Sequence, residues 1–304
     1  MYINPGLDNF PLRKRKKMLK YAVIGHPVGH SRSPGMQNAA FKSCGLDAGY
    51  VKMEVDPAEF PAYVDFAKRN LLGFNLTVPH KQIILPYLDE IAPEAKRIGS
   101  VNTVKVLPGG KLSGCSTDGV GFEAAVRFKL GMELAERRVL LLGCGGAARA
   151  LAFRIAGCKA GKLFIANRSV DKAAALAAEL DIPAEALPIA DRGAVGAALA
   201  ECDLLVQATS LGLHDGDAPP VDLALLDARQ GSALAVMDLI YLPTPLLVRA
   251  RENGLKCCDG REMLLRQGAA SFTFWTGRRP DLEAMRAGME NDEVHTPPFE
   301  WRGL

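Results

Sequence analysis

The stretch that most constrains this chain runs from Arg138 to Ala150, RVLLLGCGGAARA. After Arg138, Val139-Leu140-Leu141-Leu142 has the uninterrupted apolar pattern of a strand buried on both faces. It passes directly into Gly143-Cys144-Gly145-Gly146-Ala147-Ala148, a G-x-G-x-x-A loop that opens an alanine-rich helix. Glycines there allow a tight turn and let backbone N–H groups approach a pyrophosphate, while the helix N-terminus favours the negative charge. A glycine triplet alone also serves as a plain turn in an α/β sheet. The strand before it and the helix after it favour a dinucleotide site built from Gly143, Cys144, Gly145, Gly146 and Ala147.

The next strand-like run, Leu163-Phe164-Ile165-Ala166, selects the dinucleotide. An NAD site ordinarily ends this strand with an acid that accepts from the ribose 2′-hydroxyl. Here Asn167-Arg168-Ser169 follows, with Lys172 one turn further on. A guanidinium beside a hydroxyl and an ammonium suits a 2′-phosphate, and no carboxylate stands there to repel it. The plainer alternative is a solvated arginine at a helix start, a position where positive charge is unfavourable. The expected cofactor is NADP.

Around this unit, strand-like and helical runs alternate. Strands are expected at Tyr21–Ile24, Tyr50–Val55, Gly73–Val78, Val101–Val106, Val139–Leu142, Leu163–Ala166, Leu204–Gln207 and Leu234–Leu239. Helical periodicity fills Met36–Cys44, Ala58–Lys68, Val120–Phe128, Ala147–Ile155 and Val170–Leu180. The alternation predicts an α/β protein with parallel sheets covered by helices. At 304 residues the chain exceeds what one core ordinarily organises, so two domains are expected. They are an N-terminal α/β substrate domain, 20–118 plus 259–290, and a Rossmann-type doubly wound parallel-sheet nucleotide domain, 119–258. Residues 1–19 and 291–304 are expected to be tails. Pro108-Gly109-Gly110 reads as a hairpin turn, Thr117 or Asp118 as a helix N-cap, and Asp259–Trp275 as a helix returning to the first domain.

The hydrophobic share of 48% against 23% charged residues excludes a disordered chain. No apolar run approaches the roughly 18–20 residues that span a bilayer, and no secretory pattern opens the chain. Seven cysteines (44, 115, 144, 158, 202, 257 and 258) show neither CxxC nor metal spacing, so no metal and a reducing, cytoplasmic setting are expected. The net charge of +3 is local, because Arg13, Lys14, Arg15, Lys16 and Lys17 alone exceed it. That run has no interleaved aromatics and reads as a solvated end, so neither nucleic acid nor membrane is an expected partner.

Four polar clusters punctuate the ends of the first-domain strands: His30-Ser31-Arg32-Ser33-Pro34, Asn75 to Lys81, Ser100 to Thr103, and Ser116 to Gly119. Ligands of open α/β sheets bind at the carboxyl ends of strands, so these loops can share one crevice. Ser31 and Ser33, spaced i, i+2 before a proline, suit a carboxylate. Lys81 suits proton transfer to an alcohol oxygen or stabilisation of developing alkoxide charge, with Asp118 to orient it. Singly, each has a plainer reading: a helix cap, a turn former, a surface lysine.

Together the segments GHPVGHSRSPGMQNAAF, GFNLTVPHK, GSVNTV, GCSTDGVGF, GCGGAARA, ANRS, DLIYLPTPLL and DGREMLLRQGAASFTFWTG resemble the ordered motifs of the shikimate dehydrogenase family, from about residue 20 to residue 277. The resemblance implies reversible NADP-dependent reduction of 3-dehydroshikimate to shikimate, a step of aromatic amino acid biosynthesis. It implies that Lys81 and Asp118 form the catalytic pair and that Ser31 and Ser33, helped by Tyr241, bind the shikimate carboxylate. Thr77, Asn102 and Gln267 would hold ring hydroxyls or position the lysine. Gly143 to Ala147 would meet the pyrophosphate, Asn167, Arg168, Ser169 and Lys172 the 2′-phosphate, and Leu239 and Gly260 the nicotinamide end. Ser116 and Gln37 depart from the family's usual Asn and His, beside ligand positions. Quinate or an aminated shikimate is the alternative substrate. Folate-linked dehydrogenases share the layout but lack these clusters, and a non-catalytic ligand sensor would not need Lys81 and Asp118. Monomer and homodimer both remain open.

Overall fold

The computed structural model describes residues 19–214, 216–291 and 298–302, so the basic run Arg13–Lys17 lies outside the described residues. Among these, the first sheet comprises β1 (Leu19–Gly25), β2 (Gly49–Glu54), β3 (Gly73–Leu76), β4 (Glu90–Ile91), β5 (Thr103–Val106) and β6 (Leu112–Cys115). Their order across the sheet is β2-β1-β3-β5-β6-β4. Along β1, Tyr21 and Val23 pack on one face, and Ala22 and Ile24 on the other. The sheet is mixed, a departure from the parallel arrangement that alternation predicts. β2 and β3 run parallel to β1, whereas β5 is antiparallel to β3 and β6. The cause is local: the Pro108-Gly109-Gly110 turn joins β5 to β6 as a hairpin and leaves no room for the crossover a parallel pair requires.

The second sheet is parallel throughout and comprises β7 (Arg138–Leu142), β8 (Lys162–Asn167), β9 (Ala184–Pro188), β10 (Leu204–Gln207), β11 (Ala235–Asp238) and β12 (Lys256–Cys258). Its order, β12-β11-β10-β7-β8-β9, is doubly wound, with the reversal between β7 and β10. A ligand crevice forms outside the carboxyl ends of strands at such a reversal. Val139 and Leu141 face one core with Leu151 and Ile155, while Leu140 and Leu142 face the other with Val195 and Leu199. Burial on both faces is the reason this strand reads as a continuous apolar run.

Two helices connect the sheets and pack along each other, Asp118–Ala125 leaving β6 and Arg261–Thr276 following β12. The second is bound to the first sheet: Trp275 Nε1 donates to Val104 O at 2.9 Å, and Asn75 Nδ2 to Ser271 Oγ at 3.1 Å. The helix Leu282–Glu290 then lies against the helix Ser33–Ser43.

Residues 298–302, expected as part of a tail, instead line the outer edge of β2. Phe299 N donates to Lys52 O at 2.7 Å and Trp301 Nε1 to Glu54 O at 3.0 Å. Trp301 is 5% exposed, with its ring set edge-on to Tyr63. An edge strand presents unpaired backbone groups that a covering segment satisfies. A lone tryptophan carries no periodicity to announce this. No described helix is long and apolar enough to cross a membrane.

Candidate active site

Lys81 projects from the short helix His80–Ile83 that follows β3. Its neighbour His80 anchors this turn, fully buried, with Nε2 2.7 Å from Val55 O and its ring stacked on Phe60. Asp118 is the first residue of the helix after β6. Lys81 Nζ donates to Asp118 Oδ2 at 2.5 Å, and Asn102 Nδ2 donates to Asp118 Oδ1 at 2.8 Å. Both carboxylate oxygens are therefore engaged, which fixes the rotation of Asp118.

Thr117 occupies the N-cap position of that helix, yet its side chain does not cap it. Its hydroxyl faces Asn102 and donates to Gln267 Oε1 at 3.3 Å, while its backbone N–H donates to Asn102 Oδ1 at 2.9 Å. Asn102 Nδ2 also reaches Gln267 Oε1, at 3.3 Å. Beneath them, Asn75 accepts from Tyr50 OH at 2.7 Å and donates to Thr103 Oγ1 and Ser271 Oγ. A buried polar network with its members paired in this way is rigid and specific in geometry.

Ser31 and Ser33 stand at the start of the helix Ser33–Ser43, both buried, with Ser33 N donating to Ser31 Oγ at 3.3 Å. From the second domain, Tyr241 OH donates to His30 O at 3.2 Å. Ser31, Ser33, Thr77, Lys81, Asn102, Asp118 and Gln267 line one crevice together with Ala147, Leu239, Tyr241 and Gly260. Such a crevice can grip a polyhydroxylated acid and move a proton at one of its oxygens. Burial, then Lys52 and His214, holds the His30 imidazole below its ordinary pKa. Burial raises the Tyr241 phenol, against a smaller opposing effect of Arg32.

Comparison with known proteins decides the relationship. Residues 23–104 match the shikimate dehydrogenase substrate binding domain, 124–214 the shikimate / quinate 5-dehydrogenase model, and 260–288 the shikimate 5'-dehydrogenase C-terminal domain. The shikimate dehydrogenase (NADP(+)) of Symbiobacterium thermophilum is 41% identical over 87% of this chain and 91% of its own length. The chain belongs to the shikimate dehydrogenase family. Among solved structures of the family, the shikimate dehydrogenase from Aquifex aeolicus superposes with a TM-score of 0.82 at 35% identity, covering 92% of this chain and 100% of that one. The shikimate 5-dehydrogenase from Thermus thermophilus, solved with NADP(H) and shikimate, gives 0.79 at 38% identity, covering 90% and 99%.

In this shikimate dehydrogenase family member the backbone of the glycine loop itself calls for glycine. Gly143 has a φ of 106°, and a Cβ there would stand 3.1 Å from Ala208 O. A Cβ on Gly146 would stand 3.6 Å from Lys81 Cδ, so the loop abuts the lysine of the other domain. Gly260 leaves no space for a Cβ against Leu239 O, which explains a glycine beside the crevice. Gly143, Cys144, Gly145 and Gly146 border the crevice without lining it. Asn167 is the last residue of β8, Arg168, Ser169 and Lys172 follow it, and Cys144 Sγ of the loop stands 3.4 Å from Lys172 O. Asn167 Nδ2 donates to Ser169 O at 2.9 Å. Arg168 and Lys172 have no ion-pair partner among the described residues, leaving both cations available to a phosphate.

Sequence reading placed Asn75 and Thr103 in its polar clusters without a role and missed Ser271. Asn75, Thr103 and Ser271 form the floor of the network, and Ser271 follows Gln267 by four residues, a spacing that marks a shared helix face. It also missed Asp238, which is 1% exposed. Asp238 accepts from Ile240 N at 2.9 Å and from Thr244 Oγ1 at 2.8 Å, folding the loop that carries Leu239 and Tyr241. Burial pushes its carboxyl up to about 6, with hydrogen bonds from Ile240 and Thr244 opposing.

Proposed function

We propose that this chain catalyses the reversible, NADP-dependent reduction of 3-dehydroshikimate to shikimate, with Lys81 and Asp118 handling the proton. Membership of the family makes it an oxidoreductase, and its curated relatives are named for NADP(+). The observation that carries the reading is the Lys81–Asp118 contact of 2.5 Å, in a crevice bounded by the two serines and the glycine loop.

When bound, NADP supplies the hydride donor or acceptor. Lys81 gives a proton to the substrate oxygen as the carbonyl becomes an alcohol, and removes it in the reverse direction. Asp118 keeps the ammonium aimed at that oxygen, and Asn102, on the other carboxylate oxygen, keeps Asp118 from turning away. Ser31 and Ser33, with Tyr241, bind the carboxylate, while Thr77, Asn102 and Gln267 take ring hydroxyls. Gly143 to Ala147 would hold the pyrophosphate, Asn167, Arg168, Ser169 and Lys172 the 2′-phosphate, and Leu239 and Gly260 the nicotinamide end. The seven cysteines are unpaired, which suits a reducing cytoplasm.

The test is a steady-state matrix of shikimate and quinate against NADP and NAD, followed at the nicotinamide absorbance. Shikimate with NADP should give the highest kcat/KM. Preference for quinate would move the chain to another substrate within the family, and no turnover with any pair would remove the catalytic reading.

A further inference from the structure

Behind the serine loop lies a cation that the chemistry above does not use. Lys52 sits on β2, two residues after Tyr50 and on the same face, and is 3% exposed. Its Nζ donates to Gly29 O at 2.9 Å. A lysine is rarely so buried, because its ammonium must be hydrogen-bonded to offset the loss of water. An apolar residue would fill this space at lower cost.

The position explains the exception. Gly29 lies two residues before Ser31, and the carbonyls on either side of it are also taken. Ser31 N donates to Val28 O at 3.0 Å, and Tyr241 OH to His30 O at 3.2 Å. Three successive carbonyls, of Val28, Gly29 and His30, are thus held from the loop itself, from β2 and from the second domain. Lys52 is in turn held along its backbone, where its carbonyl accepts from Phe299 N at 2.7 Å. A loop with its carbonyls fixed has little freedom in where its next side chains point.

We propose that Lys52 is a positioning residue for the acid-binding end of the crevice, holding the Val28–Ser33 loop in the shape that presents Ser31 and Ser33 to the substrate carboxylate. This rests on the reading of those serines given above. Lys52 acts through the Gly29 carbonyl and does not touch the substrate.

The experiment compares wild type, Lys52→Met, Lys52→Gln, Lys52→Arg and Ser33→Ala with shikimate and with its methyl ester. NADP binding by fluorescence and thermal unfolding serve as controls of folding. Lys52→Met should raise KM for shikimate about tenfold or more, the scale of a lost charge-assisted hydrogen bond, with kcat within about twofold. The ester, without a carboxylate, should lose much less. Lys52→Gln, too short to reach Gly29, should act like Met if the apolar variant fails to fold. Lys52→Arg keeps the donor and should stay within about threefold of wild type. Unchanged KM in Lys52→Met or Lys52→Gln, or equal losses for acid and ester, overturns the proposal. If Ser33→Ala also leaves KM for shikimate unchanged, the carboxylate subsite itself is misassigned. A rise in Ser33→Ala alone removes only the role of Lys52.

Discussion

Lys81 and Asp118 are 37 residues apart in sequence and 2.5 Å apart across the crevice. Each comes from the first turn after a strand of the same sheet, β3 for the lysine and β6 for the aspartate. The pairing therefore depends on the hairpin that brings β6 alongside β5, and β5 alongside β3.

Removing the lysine should separate chemistry from binding. A positioned proton donor contributes about 100- to 10,000-fold, so Lys81→Ala should cut kcat by at least about 100-fold. Calorimetry should still find NADP bound with near-normal affinity. Asp118→Asn should also depress kcat, and the double variant should fall well short of the product of the two losses, since the residues act as a unit. A Lys81→Ala enzyme with near-wild-type kcat would refute the assignment.

Cofactor choice should depend on Arg168. Losing one charge-assisted contact to the 2′-phosphate costs about 1.5–3 kcal/mol, or about 10- to 150-fold. Arg168→Ala should lose that much kcat/KM with NADP and almost nothing with NAD. Equal losses with the two cofactors would place the phosphate elsewhere.

Asp238 should give stability a distinct pH dependence. Its folded pKa of about 6 stands above the ordinary 3.8. The folded state then binds more protons between those values, so the contribution of Asp238 is fully present below pH 3.8 and lost as pH rises through about 6. Asp238→Asn keeps both hydrogen bonds, with its amide donating to Thr244 Oγ1, and stays neutral. Relative to wild type its Tm should rise progressively from pH 4 to 7, corresponding to roughly 2–3 kcal/mol at the upper end. A constant Tm difference across that range would show that Asp238 does not titrate there.

Trp301→Ala should open the core under β2. Deleting a buried tryptophan typically costs about 3–5 kcal/mol. Urea unfolding followed by circular dichroism should show a loss on that scale, and unchanged stability would mean that residues 298–302 do not hold to β2 in solution.

What the sequence by itself determined was local. The apolar run Val139–Leu142, the glycines after it and the alanine-rich helix beyond follow from near-neighbour preferences for burial and turns, and β7, β8, β10 and β11 form where such runs predict them, whereas β9 and β12 carry no run that announces them. The polar clusters at strand ends brought Ser31, Lys81 and Asp118 into view and the motif resemblance added Gln267, although nothing in their individual chemistry separates them from caps and surface charges. Only the tertiary structure decided which side chains meet. Asn75 reaches Ser271 across 196 residues, Lys52 supports a loop 23 residues before it, and Trp301 covers an edge 247 residues away. Such partners are set by how sheets and helices pack, because a hydrogen bond between distant residues leaves no period in the chain. The same reason accounts for the mixed first sheet: strand direction is fixed by the connections and pairings in space, and an alternation of strands and helices carries no record of it.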